Sequence, residues 1–217
     1  MPESQIYQLY PTPLYQGQMN IDDKDKDFII KQEYMRMPTD NGSFSVNHHL
    51  LDLNELSQMR KDIITHMNVF TRNFLTVPDK FNFYMQNSWS VIHGKKDWAQ
   101  GHVHSNSLLS GVLYIQTDET SGDICFHKPT GLTNIFPECV NLPFEQQTPH
   151  NSEEWCIRPR PGDILIFPAH LYHSVRPNKS NMDRYVVAFN FHVEGELYSK
   201  GSKINYLKLY NGNEKKI

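Results

Sequence analysis

From Phe81 to Val193 the chain alternates between apolar and polar positions in short runs: FNFYMQ, SWSVIH, LLSGVLYI, DICFH, WCIRP, DILIF and YVVAFNFHV. A period of two, rich in β-branched and aromatic residues, predicts strands with one buried face. Turn chemistry separates them, most plainly at Thr120-Ser121-Gly122-Asp123 and Pro159-Arg160-Pro161-Gly162. Ahead of the strands the period changes. Leu53, Leu56, Ile63, Met67, Phe70 and Phe74 recur at spacings near three and four, which predicts one amphipathic helix or two, with Asn54 as a cap. That helical face should cover one side of a sheet. Residues 20–33 read as a short charged helix, and residues 5–15, with Pro11 and Pro13, as a strand-like lead-in. Short strands after helices predict a mainly β fold with helical cover, an antiparallel barrel or jelly roll.

Composition narrows this little. A chain of 217 residues suits one domain and can bury a core without staples. The expected layout is residues 1–80 as lead-in and helical support, 81–195 as the β core, and 196–217 as a tail. A net charge of -3 leaves no general footprint for nucleic acid, and the lysines after Lys200 read as a solvated end. No apolar run is long enough to span a bilayer, and no basic-then-apolar leader is visible at the start. Cys125, Cys139 and Cys156 are odd in number and match no zinc spacing, so a soluble protein in a reducing cytoplasm is expected. The long stretch 127–154 carries Ile135, Phe136, Leu142 and Phe144 among Pro, Asn, Thr and Glu, which favours a lid.

Chemistry enters with His102-Val-His104. Imidazoles two residues apart on an extended segment point the same way, and His173, after a buried strand and a turn, can complete a facial trio of neutral donors. Most of the eleven histidines, including His93, have an ordinary reading as surface or satisfied side chains. Arg184 opens a strand whose face, Arg184, Val186, Ala188, Asn190 and His192, is less greasy than the other and leaves room for a small ligand. Its planar fork suits a carboxylate. Arg176 is a possible substitute, and Ser110 and Tyr114 share a strand face that could add hydroxyl donors. The combination predicts an oxygen-activating iron site with an acidic cosubstrate.

These residues together resemble the iron(II)- and 2-oxoglutarate-dependent oxygenases, and within them a phage and bacterial group related to prolyl hydroxylases. The pattern is YPTPLY, Trp89, HVHSNSLLSGVLYIQ, SGDICFHKP, PGDILIFPAHLYHSVRPN and DRYVVAFN, covering most of the chain beyond Asn82. The resemblance implies a double-stranded β-helix, iron ligands at His102 and His173, and Arg184 on the far carboxylate of 2-oxoglutarate; the strand faces that carry Tyr114, Ser110 and Asn190 would place those three near the cosubstrate. It implies a hydroxylase that consumes 2-oxoglutarate and O2, releases succinate and carbon dioxide, and acts on an aliphatic carbon such as a peptidyl proline. A phage origin would put that activity in a host cytoplasm. His104 departs from the pattern, since an Asp or Glu usually stands there. His104 is a third neutral ligand, or it turns away and water replaces it, or His104 and Asn106 form the true ligand pair. Two other readings compete. A three-histidine cupin-type dioxygenase or isomerase fits Gly162 to His173, yet lacks the usual glutamate after His-x-His and gives Arg184 no purpose. A non-catalytic jelly-roll binding module would leave the histidine trio unexplained.

Overall fold

The computed structural model describes residues 4–7, 11–38, 42–128, 143–198 and 205–209. An eight-stranded sheet and a four-stranded sheet face each other as a double-stranded β-helix. The larger runs β1 (Tyr15–Gln18), β9 (Asp163–Pro168), β6 (Leu109–Gln116), β11 (Arg184–Tyr198), β4 (Asn82–His93), β3 (Ser43–Ser45) and β2 (Tyr34–Arg36), with β12 (Asn205–Leu209) added to β11. The smaller runs β5 (Ala99–His102), β10 (His173–Val175), β7 (Ile124–His127) and β8 (Glu154–Ile157). The pairings in both sheets are antiparallel.

Alternation decides what each face of the larger sheet does. Leu113, Ile115, Ile164, Ile166, Val187, Phe189 and Phe191 pack against Ile29, Leu51, Leu56, Ile63 and Met67 of the helical layer. Their strand neighbours Val112, Tyr114, Leu165, Phe167 and Val186 turn the other way, toward Ile124 and Phe126 of the smaller sheet. One period therefore builds two cores. Polar pins hold the helical layer in register: Ser88 Oγ accepts from Leu51 N at 2.9 Å, and Tyr34 Oη lies 2.8 Å from the Ile29 carbonyl and 2.9 Å from Ser90 Oγ.

The helical cover differs in detail from its prediction. Helix α1 spans Asp23–Ile30, capped by Asp22, whose carboxylate accepts from Lys24 N and whose followers Asp23 and Asp25 suit the helix start. The longer segment is broken into 3₁₀ turns at Leu50–Asp52 and Asn54–Leu56, then α2 (Ser57–Asn68), then a π-helical turn at Val69–Phe74. Leu56, not Asn54, precedes α2, and no side chain caps it. The wider π turn carries the pattern out of phase, so Phe70 is buried while Phe74 is exposed and stacks on it.

Three further expectations are corrected. FNFYMQ and SWSVIH form one continuous strand, β4, because β11 is long enough to pair with all of it. Among the described residues the lead-in contributes only β1, after its prolines, yet β1 to β3 belong to the larger sheet. Cys125 and Cys156 sit opposite each other on β7 and β8 and form a disulfide. That bond runs against a reducing setting, where such pairs are kept as thiols. Cys139 and most of the stretch expected to be a lid, residues 129–142, lie outside the described residues, as do the side chains of the tail. Among the described residues no helix is long and apolar enough to cross a membrane.

Candidate active site

Between the two sheets lies a cavity of about 180 Å³. Its walls are largely apolar: Trp89, Val91, Val112, Ile124, Phe167 and Val186 among them. Its polar groups gather at His102, His104 and His173 on the one hand, and at Arg184, Tyr114 and His93 on the other.

The histidines come from two loops that the strands hold together. His102 ends β5 and pairs in register with His173, which opens β10. The chain between His104 and Leu108 is pinned to the turn after β9, with His104 N donating to the Ala169 carbonyl and Ala169 N to the Leu108 carbonyl. Asn106 adopts φ of 59°, a left-handed conformation that Asn tolerates better than most residues. The ligand atoms of the three side chains lie within 4.8 Å of one another.

Hydrogen bonds settle which nitrogen faces inward. His102 Nδ1 lies 2.8 Å from the Gln100 carbonyl, His173 Nδ1 lies 2.8 Å from the Leu171 carbonyl, and His104 Nδ1 lies 2.7 Å from Asn190 Oδ1. Each partner is an acceptor, so each Nδ1 carries the proton and each Nε2 keeps a lone pair. Burial pushes His173 down to about 3, the neighbouring His102 adding to it, and burial likewise lowers His104. Three neutral imidazoles sharing one inward tautomer form a donor set for a first-row divalent ion, iron(II) included. Phe167 and Phe126 flank His173, and Trp89 lies beside His104.

The expectation that Asn190 and Ser110 lie near the cosubstrate is corrected. Ser110 Oγ donates to Asn190 Oδ1 at 2.7 Å, and Asn190 Nδ2 donates to Asn87 Oδ1 at 2.9 Å. Neither lines the cavity. Their polar atoms are spent behind His104, holding its ring. Tyr114 does face the cavity, and burial raises its phenol well above the ordinary range, so it stays protonated and able to donate.

Arg184 is 1% exposed. Its Nη1 donates to the carbonyls of Ser121 and Gly122, at 2.9 and 3.0 Å, and its Nη2 to His93 Nδ1 at 2.6 Å. Its Nε has no partner. Among the described residues no carboxylate lies within ion-pair distance of it. The turn that supplies the two carbonyls is itself fixed, because Asp118 Oδ1 accepts from Thr120 N, Thr120 Oγ and Ser121 Oγ. Gly122 has φ of 89°, and a Cβ there would meet the Arg176 carbonyl oxygen at 2.2 Å. Arg176 itself pairs with Glu154 at 2.8 Å and does not reach the cavity. His93 and Asn87 escaped the sequence reading. Their signal was parity: both share a strand face with Trp89, and β4 pairs with β11 so that His93 stands opposite Arg184.

Residues 87–190 match the family model described as "Putative 2OG-Fe(II) oxygenase". No curated protein sequence matches the chain. Among solved structures, the chain is similar to a Pseudomonas putida prolyl-4-hydroxylase, at 11% identity and a TM-score of 0.52, over 85% of this chain and 94% of that one. It is similar to HygX from Streptomyces hygroscopicus, solved with nickel, 2-oxoglutarate and hygromycin B, at 12% identity and a TM-score of 0.55, over 83% and 82%. It is also similar to SnoN, a non-heme α-ketoglutarate-dependent epimerase of nogalamycin biosynthesis, at 11% identity and a TM-score of 0.56, over 83% and 78%. At such identities the likeness shows the fold, and the family match covers the stretch that holds all three histidines and Arg184. Residues 87–190 are thus a segment of the 2OG-Fe(II) oxygenase family, set in the fold that those enzymes share.

Proposed function

We propose that the chain is an Fe(II)- and 2-oxoglutarate-dependent dioxygenase that hydroxylates an aliphatic carbon of a small-molecule or peptidyl substrate. His102, His104 and His173 hold the iron through Nε2, and Arg184 and Tyr114 take the far carboxylate of 2-oxoglutarate. The observation that carries this reading is Arg184. A guanidinium buried to 1% exposure, with a free Nε and no carboxylate partner among the described residues, is costly to maintain unless an anion joins it. Placed in one cavity with three inward-facing imidazole nitrogens, it favours a ligand with a chelating end and an anionic end. A three-histidine cupin-type enzyme would leave that charge idle.

Bound iron and 2-oxoglutarate would supply the oxidising power, with O2 consumed and succinate and carbon dioxide released. The chain's own work is orientation and a setting of low polarity. Asn190 keeps the His104 proton on Nδ1, the backbone carbonyls of Gln100 and Leu171 do the same for His102 and His173, and the largely apolar walls lower the polarity around them. An all-neutral ligand set leaves the metal's charge to be met by the cosubstrate, which would strengthen the hold on its chelating carboxylate. We further propose that residues 1–217 work as one domain, since β1 to β3 and β12 extend the same sheet as the core strands.

The test is Fe(II)-dependent conversion of 2-oxoglutarate to succinate and carbon dioxide. Slow turnover without a primary substrate is expected in the parent, and none in His102→Ala. Equal succinate release in the parent and in that variant would refute the proposal.

A further inference from the structure

We propose that His93 is a positioning residue that holds Arg184 in its ligand-ready pose without neutralising it, so that this end of the cavity selects a second carboxylate on the ligand. The inference rests on the reading of Arg184 given above and adds to it the group that sets its charge and aim.

His93 closes β4 and is the register partner of Arg184, so the two side chains stand on the same face of the larger sheet. Both are buried, at 3% and 1% exposure. A guanidinium offers five N–H groups. Three are taken, by the carbonyls of Ser121 and Gly122 and by His93 Nδ1, and Nε–H and one Nη2–H have no acceptor among the described residues. All three resident acceptors are neutral. A carboxylate in place of His93 would make the same hydrogen bond and cancel the charge. The nearby acids stand off: Asp97 is paired with Arg36, and Asp123 lies nearest Arg158.

His93 is also fixed as an acceptor. Arg184 can only donate, so the imidazole proton must sit on Nε2. Burial, reinforced by the charge of Arg184, depresses its affinity for a second proton to about 3. Gly42 closes over the far edge of the ring, where a Cβ would come within 2.9 Å of both Nε2 and Cδ2. Asn178 Nδ2 holds the His93 carbonyl at 2.8 Å. Gly42 thus backs the ring on one side, while its other side faces the cavity.

The test compares His93→Asn, His93→Leu, His93→Glu and Arg184→Leu, each loaded with Mn(II). Calorimetry measures binding of 2-oxoglutarate and of 2-oxopentanoate, which has the same chelating end but no second carboxylate. Asn keeps an acceptor near the Nδ1 position, so His93→Asn should bind 2-oxoglutarate within about threefold of the parent. His93→Leu should bind it about tenfold more weakly, the loss expected for one charge-assisted hydrogen bond. His93→Glu supplies its own anion and should bind it about a hundredfold more weakly. In all three, Mn(II) affinity and 2-oxopentanoate binding should match the parent, a split that general structural damage would not produce. If Arg184→Leu loses 2-oxoglutarate while His93→Leu and His93→Glu bind it as the parent does, the role given to His93 is overturned. If Arg184→Leu binds it normally, the reading of Arg184 itself is overturned.

Discussion

At the residue scale the site is governed by which nitrogen carries a proton. Asn190 accepts from His104 Nδ1, which leaves Nε2 free to serve as the ligand atom of the proposed site. Replacing Asn190 with Leu removes that acceptor and should weaken metal binding by about 10- to 100-fold, the usual cost of losing such a support. Competition with a chromophoric chelator measures it, and an unchanged affinity would show that His104 needs no support. His93 gives a pH prediction whose sign can be worked out. Its folded value of about 3 lies below the ordinary 6.5, so the unfolded chain takes up a proton first as pH falls. Stability that is whole above pH 6.5 therefore drains toward pH 3, by at most about 1.4 kcal/mol per pH unit from this group. Melting curves of the metal-free protein should show a shallower acid slope in His93→Asn, and an identical slope would contradict the assignment. Spacing and residue type were enough to single out the trio and Arg184 in the sequence, and the structure brings all four to one cavity. The contact of His93 with Arg184 and the place of Asn190 behind His104 were not legible, because both depend on cross-strand register, which one chain read alone does not supply.

At the element scale the strands were legible and their joins were not. Alternation marked β6, β9 and β11 because each has one face on the helices and one on the cavity. It could not show that β4 is unbroken, since Gln86 sits at an irregularity in the pairing with β11 that resembles a strand end. The helix over α2 was legible as an apolar stripe, while the π turn beyond it was not, because its extra residue per turn leaves no compositional mark. The disulfide between β7 and β8 was invisible for a related reason: cysteine spacing says nothing about strands placed side by side. It closes a loop with a sequence separation of 31. In the chain-entropy view, reducing it should cost about 3–4 kcal/mol of stability. Denaturant midpoints with and without reductant test this, with Cys125→Ser as the control that should no longer respond. A second element-scale prediction concerns the turn that carries Arg184. Gly122→Ala forces a Cβ onto the Arg176 carbonyl at a positive φ, and should destabilise the protein by about 1–3 kcal/mol while weakening 2-oxoglutarate binding. A fully stable Gly122→Ala would mean that the turn yields more readily than its geometry implies.

At the scale of the whole molecule, two sheets turn their inner faces to one cavity, and the helices on the outer face of the larger sheet leave that cavity free for chemistry. The fold class was legible because a mainly antiparallel pattern with helices on one side has few stable solutions. The fold by itself does not select a reaction, since it also serves an epimerase among its structural neighbours. The central claim is that three imidazoles and one buried guanidinium jointly bind iron and 2-oxoglutarate. Anaerobic titration of the Fe(II)-loaded protein with 2-oxoglutarate, followed by visible absorption, tests this most directly. The account predicts a metal-to-ligand charge-transfer band that saturates with one equivalent of bound 2-oxoglutarate, vanishes in His102→Ala and needs far more 2-oxoglutarate in Arg184→Leu. A parent protein that binds Fe(II) yet develops no band, or a band indifferent to both substitutions, would contradict it.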